Sequence, residues 1–232
     1  EFNKKYSLND KFKVVINSNL NTKGNLNYGE LVLKGNSSRE ILVSTYICHP
    51  YMANDNLSGI IVTMGLINHF SKLKIDKTIR FIFVPETIGS IFYINKNFNH
   101  LKKNVFCGYN LSCIGDEGKH SCLLSKYKNS PSDEAIIQAY KNLKIKKYKI
   151  YPFLKRGSDE RQYNSPGVDL GISSIFKSKY AEYKEYHTSK DDFKLVTLKG
   201  IKDGYKVALK SLQILQKNIY PKYKILCEPQ LG

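Results

Sequence analysis

Apolar positions run along this chain in two rhythms. Short, almost uninterrupted apolar stretches predict extended segments at 12–18 (FKVVINS), 30–35 (ELVLKG), 40–48 (EILVSTYIC), 78–85 (TIRFIFVP), 105–114 (VFCGYNLSCI), 148–153 (YKIYPF) and 170–176 (LGISSIF). Four of them lack the polar alternation of a half-exposed strand, so they read as central strands covered on both faces. Elsewhere the period lengthens to three or four. From Leu57 the residues Ile60, Ile61, Met64, Ile67 and Phe70 share one helical face, and after Thr197 so do Ile201, Tyr205, Ala208, Leu212, Leu215 and Ile219. A third helix is announced by its start signals: Ser130 as N-cap, Pro131 in the first turn, then Asp133 and Glu134.

Strands alternating with helices predict an α/β fold with a mixed, mainly parallel central sheet sandwiched between helices. In such sheets ligand sites gather at the carboxyl ends of the strands. A chain of 232 residues can be built around one core. The polar stretch 17–30 predicts a hairpin turn centred on Thr22, Lys23 and Gly24.

Composition alters this picture little. Hydrophobic residues make up 41% and charged residues 25%, the balance of a globular protein. No apolar run is long enough for a membrane span and the first residues lack a signal peptide's apolar segment, so the expected location is the cytoplasm. Of the five cysteines, Cys107, Cys113, Cys122 and Cys227 read as reduced core residues, while Cys48 stands apart because it adjoins His49. The formal net charge is +17, but only four of the 37 basic residues are arginine and the lysines are dispersed. That distribution predicts diffuse attraction to anions and no specific nucleic-acid site. A homo-oligomer is compatible with all of this.

Chemistry enters where polar clusters follow apolar strands. His49 and Asp55 follow the run ending at Cys48, Glu86 follows the run ending at Pro85, and Asp159 and His187 come later in GSDERQY and EYHTSKDD. Two imidazoles and carboxylates at one sheet edge would suit zinc, with Glu86 placed to act on water. Each residue alone has a plainer reading: Asp55 as a helix cap, Glu86 as a charge at a helix N-terminus. His69, His100 and His120 read as surface residues.

The wording and order of the motifs add to this. HPYMANDNLSG, FVPETIGS, NLSCIG, GSDERQY and EYHTSKDD resemble, in the same order, the metal-site segments of the co-catalytic zinc aminopeptidase family, in which a DNxSG segment, an EExG segment, NLDMIG, SDHxxF and HTxxD recur. They resemble still more closely a bacterial aminopeptidase-like subset linked to surface-polysaccharide genes. In that subset a small β-rich domain is inserted ahead of these motifs. Residues 1–38 are therefore expected to be a β-rich segment at the end of such a domain, with 39–232 as the aminopeptidase-like catalytic domain.

The resemblance implies His49 and His187 as metal ligands, Asp55 as the carboxylate between them and Glu86 as general base. Thr87 and Ser112 stand where the larger family has two further acidic ligands. His49, Asp55 and His187 remain, which is the ligand count of a single catalytic zinc. The expectation is a zinc hydrolase of a peptide or amide-containing small substrate, or else an aminopeptidase-like scaffold that has lost catalysis. Asp159 could bind a substrate amine, replace a ligand or pair with Arg156 or Arg161; Asp192 could orient His187. Tyr186 could line a pocket or simply pack, as could Tyr180 and Tyr183, and Glu182 could offer a negative site for an ammonium group.

Overall fold

The computed structural model describes residues 5–19 and 21–217; Ile219 and Cys227 lie outside them. Seven strands form one sheet: β1 (Gly29–Leu33), β2 (Ser37–Tyr46), β3 (Lys77–Val84), β4 (Val105–Leu111), β5 (His120–Leu123), β6 (Tyr148–Tyr151) and β7 (Ile172–Phe176). Their spatial order is β1-β3-β2-β4-β7-β5-β6. The inner four, β3, β2, β4 and β7, run parallel. At the two flanks β1 is antiparallel to β3 and β5 is antiparallel to β7, with β6 parallel to β5. The expected mixed, mainly parallel α/β sheet is thereby present.

Five helices cover it: α1 (Ser58–Phe70), α2 (Ile88–Asn104), α3 (Pro131–Asn142), the short α4 (Glu160–Tyr163) and α5 (Leu198–Lys217). The apolar run Ile41, Leu42 and Val43 in β2 has a direct cause. Ile41 and Val43 point into a core shared with α1, α3 and α5, while Leu42, between them, points to the opposite core with Tyr93, Ile94 and Leu101 of α2. Successive side chains alternate across a strand, so a strand covered on both faces favours apolar residues in succession. The predicted N-cap is in place: the Asp133 N–H donates to Ser130 Oγ at 3.3 Å and the Ser130 N–H donates back to Asp133 Oδ2 at 3.0 Å. Gly200 on α5 lies against the loop after β4, where a Cβ would meet the Gly115 carbonyl oxygen at 2.0 Å. That close approach seats α5 against the backbone that supports the site.

Two expectations, the strand at 12–18 and the surface placement of His120, need correction. Residues 12–18 form no strand and lie exposed, because no neighbouring strand accepts their backbone. The sheet takes in Gly29–Leu33, and β2 starts at Ser37. His120 is half-buried on β5, where burial and the nearby Lys177 push its pKa down to about 4. Among the described residues no helix is long and apolar enough to cross a membrane.

Candidate metal centre at the carboxyl edge

The parallel strands β2, β3 and β4 all end at one edge. β2 and β3 are in register at Tyr46 and Val84, and the Ile47 N–H continues the ladder to the Val84 carbonyl at 3.0 Å. The chain past β2 therefore runs beside the chain past β3, and His49 and Glu86 emerge together. After β2 the backbone folds into a kinked turn, Ala53–Leu57, in which Asp55 and Asn56 leave helical geometry and are joined by a cis peptide bond. This turn buries Asn54, Asp55 and Asn56 almost completely.

Buried polar backbone and side chains demand partners, and they have them. The Asn54 N–H donates to Asp191 Oδ1 at 2.5 Å and the Asp55 N–H to Asp191 Oδ2 at 3.1 Å, a bridge across 136 positions of sequence. Asn54 Nδ2 donates to Asp116 Oδ2 at 3.0 Å, and its Oδ1 accepts the Gly115 N–H at 2.9 Å. Asn56 Nδ2 donates to Thr45 Oγ1 at 2.8 Å and reaches the Tyr46 carbonyl at 3.2 Å. The Asp55 side chain is thus aimed by its neighbours rather than by its own backbone.

Asp55 Oδ1 accepts a short hydrogen bond from the Tyr46 hydroxyl. Oδ2 lies 3.1 Å from His187 Nε2 and 3.4 Å from His49 Nδ1. No group among the described residues satisfies that buried oxygen by a hydrogen bond. The two imidazoles stand edge to face with centroids 5.0 Å apart, and Tyr186 stacks on His187 at 3.9 Å. His49 Nδ1 is 2.9 Å from the Asp55 carbonyl oxygen, which can only accept; Nδ1 therefore carries the proton and Nε2 keeps its lone pair. One donor atom from each of His49, Asp55 and His187 lies within 4.8 Å of the other two. A buried carboxylate oxygen left unpaired between two imidazoles is a donor set that fits zinc.

Glu86 borders this group. Its Oε1 accepts the Ser158 hydroxyl at 2.6 Å, and burial raises its pKa, with Ser158 opposing and the charge of Asp55 adding to the rise. Ser158 is held by Glu160, which is fully buried: Glu160 Oε1 accepts from the Gly157 N–H (2.9 Å), the Ser158 N–H (3.1 Å) and the Tyr180 hydroxyl (2.7 Å). Its Oε2 accepts from Asn110 Nδ2 at 3.3 Å and Ser174 Oγ at 3.1 Å. The loop carrying GSDER is folded around that one carboxylate.

Of the residues expected from sequence, His49, Asp55, His187 and Glu86 come together, and Tyr186 joins them by stacking. Asp159 lies behind them: its Oδ1 accepts the Thr87 N–H and the Ser90 hydroxyl, both at 2.7 Å, and burial pushes its pKa up to about 7. It fixes Thr87, whose φ of 63° is in the left-handed region. Arg161 is exposed on α4. Glu182 is taken up by Lys149 Nζ at 2.9 Å and the Tyr151 hydroxyl at 2.5 Å. Asp192 turns to the Lys194 N–H at 2.8 Å, and the carboxylate at the centre is its neighbour Asp191. Ser112 is buried with an unpartnered hydroxyl. Asp191, Glu160, Tyr46 and Asn54 are the supporting residues that sequence reasoning passes over. The paired aspartates of SKDD are a signal for the first, but only the fold says which of the two turns inward.

A family model described as a domain of unknown function, DUF4910, matches residues 13–218. A Clostridium acetobutylicum protein described as a polysaccharide biosynthesis protein with an aminopeptidase-like domain is 38% identical over 224 residues, 96% of this chain and 51% of its own length. The chain thus spans about half of that relative. A crystal structure described as a peptidase, also from Clostridium acetobutylicum, superposes with a TM-score of 0.79 at 37% identity, over 88% of this chain and 48% of the other. A zinc aminopeptidase from Bacillus subtilis superposes with a TM-score of 0.69 at 19% identity, over 84% of this chain and 51% of the other. The last is a likeness of fold. The expected resemblance to zinc aminopeptidases is borne out at that level.

Proposed function

Because the chain belongs to the DUF4910 family and carries an aminopeptidase-like fold with an imidazole–carboxylate cluster at its sheet edge, we propose that it is a zinc-dependent hydrolase of a peptide or related amide bond. The observation that carries this reading is Asp55 Oδ2: buried, without a hydrogen bond, and set between His187 Nε2 and His49. His49, Asp55 and His187 would hold one ion. Thr87 and Ser112 offer no carboxylate for a second.

Zinc, when bound, supplies Lewis acidity that polarises a carbonyl and acidifies water. The chain's own residues do the rest. Glu86 receives the proton of the attacking water and returns it to the departing amine nitrogen. Ser158 pins Oε1 and leaves Oε2 for that exchange, and a pKa raised by burial makes Glu86 a stronger proton acceptor than an exposed carboxylate. Asp191 holds the Asn54–Asp55 backbone, so the carboxylate does not reorganise when charge develops. Retention of a hydroxyl-braced glutamate at 86 favours a working enzyme over a silent scaffold. A substrate from polysaccharide biosynthesis, the process named for the relative, would need to present an amide.

Two measurements test this reading. Metal analysis of the purified chain should find one zinc, lost in Asp55→Ala and His187→Ala; two full ions at the centre would overturn the single-ion version. Glu86→Gln should keep the zinc and lose about 100- to 10,000-fold in turnover of an aminoacyl amide, the range for a general base. Full activity in that variant would remove Glu86 from the role.

A further inference from the structure

The edge carries a second cluster that the hydrolase reading leaves unused. Tyr46 of β2 pairs in register with Val84 of β3, so two residues further on Cys48 comes beside Glu86. One donor atom from each of Cys48, His49 and Glu86 lies within 4.8 Å of the other two. Cys48 is exposed, whereas Cys107, Cys113 and Cys122 are buried. This is the one cysteine of the described residues that solvent ions can reach, and it sits with a nitrogen and an oxygen donor at chelating distance.

We propose that Cys48, His49 and Glu86 form an alternative, thiolate-bearing metal position that excludes the catalytic one and holds the enzyme inactive. The inference rests on the assignment of Glu86 as base. His49 is shared by both clusters, but its Nδ1 is committed to the Asp55 carbonyl, so Nε2 can serve only one ion at a time. An ion in the Cys48 position forms a sulfur–metal bond as the thiol proton leaves to solvent, and it takes up the carboxylate that would otherwise move the proton. Soft ions favour thiolate; ions that prefer nitrogen and oxygen favour Asp55 and His187. Cadmium, softer than zinc, belongs in the Cys48 position, and the site would sort ions by softness.

Cadmium alone is the probe, added to the full chain after removal of metal and reduction of thiols. The expected result is a thiolate-to-cadmium charge-transfer absorption that saturates at one equivalent, disappears in both Cys48→Ser and Cys48→Ala, and survives in Cys113→Ser and Asp55→Ala. Glu86→Gln should weaken cadmium binding by about tenfold or more, as loss of a metal-site partner does. No band in the unsubstituted chain, a band that survives in the Cys48 variants, or undiminished affinity in Glu86→Gln would each overturn the proposal, the last because it would leave only a solitary thiol. Zinc content of the Cys48 variants separates the two readings. Zinc still bound there, and lost in Asp55→Ala, keeps the hydrolase assignment even if the thiolate position falls.

Discussion

Two clusters of buried charged side chains on this sheet are treated oppositely. On the α2 face of β2 and β3, Arg80 Nε donates to Glu40 Oε2 at 2.7 Å and its Nη2 to Glu40 Oε1 at 3.1 Å, Nη1 makes a short bond to Glu30, and His100 Nε2 lies 2.9 Å from Glu40 Oε1. At the carboxyl edge Asp55, Glu86, Asp159, Glu160 and Asp191 gather, yet no lysine or arginine among the described residues forms an ion pair with any of them. In a chain with a formal net charge of +17 that separation is informative. The pKa directions follow it. Burial raises Glu40, but the hydrogen bonds and charges of Arg80 and His100 together outweigh burial and leave it lowered. Burial raises Glu86 and Asp159, and no cation brings them back. A neutralised cluster is finished as structure; an acid cluster without its cation is prepared to receive one.

The contrast can be broken from either side. The largest effect on folding is expected from Arg80→Met, which strands Glu40 and should cost about 3 to 5 kcal/mol in urea unfolding, as loss of one member of a buried pair does. Zinc uptake by the folded protein should be unchanged. Asp191→Asn keeps the size of the side chain but sets an amide donor against one of the two backbone N–H groups it now accepts. Zinc affinity should drop by about 10- to 100-fold, measured by competition with a chromophoric chelator.

Asp159→Asn sharpens the comparison through pH. The unfolded chain releases this proton near 3.8 and the folded chain near 7, so between those values the folded state holds the extra proton. Stability of the metal-free protein should therefore fall as pH rises from about 4 to about 7 and level off above. The variant, whose side chain still accepts from Thr87 and Ser90, should show a flatter profile in denaturation midpoints across that window. The smallest effect is expected from Tyr186→Leu. Removing the ring stacked on His187 forfeits about 0.5 to 1.5 kcal/mol of aromatic contact, which converts to a two- to tenfold loss in zinc affinity.

Much of the fold was legible because burial on both faces makes β2, β3 and β4 rich in consecutive apolar residues, and because Ser130, Pro131 and Asp133 spell out a helix start. The segment 12–18 misleads for the converse reason: its residues have strand propensity, but a strand exists only where a neighbour accepts its backbone. β5 is too short, at four residues, to announce itself by period. At the site, His49, Asp55, Glu86 and His187 stood out as rare chemistry beside apolar runs. Glu160 and Asp191 did not, since each is one acid among several in its segment and its role is defined by partners that the fold brings from elsewhere, Asn110 and Ser174 for the first and the Asn54 and Asp55 N–H groups for the second.

The amino-acid sequence by itself determined most of the central strands and the helices at Ser58–Phe70, Pro131–Asn142 and Leu198–Lys217, that the inner strands are buried on both sides, and which four side chains come together at the sheet edge. Those follow from local periodicity and from residue type, both of which are properties of short stretches. Only the tertiary structure decided that Asp191 rather than Asp192 turns inward, that Asp159 supports a strained turn, and that Cys48 lies beside Glu86. Each of these depends on strand register and on hydrogen bonds that close across large separations in the chain, and no local pattern of residues encodes such distances.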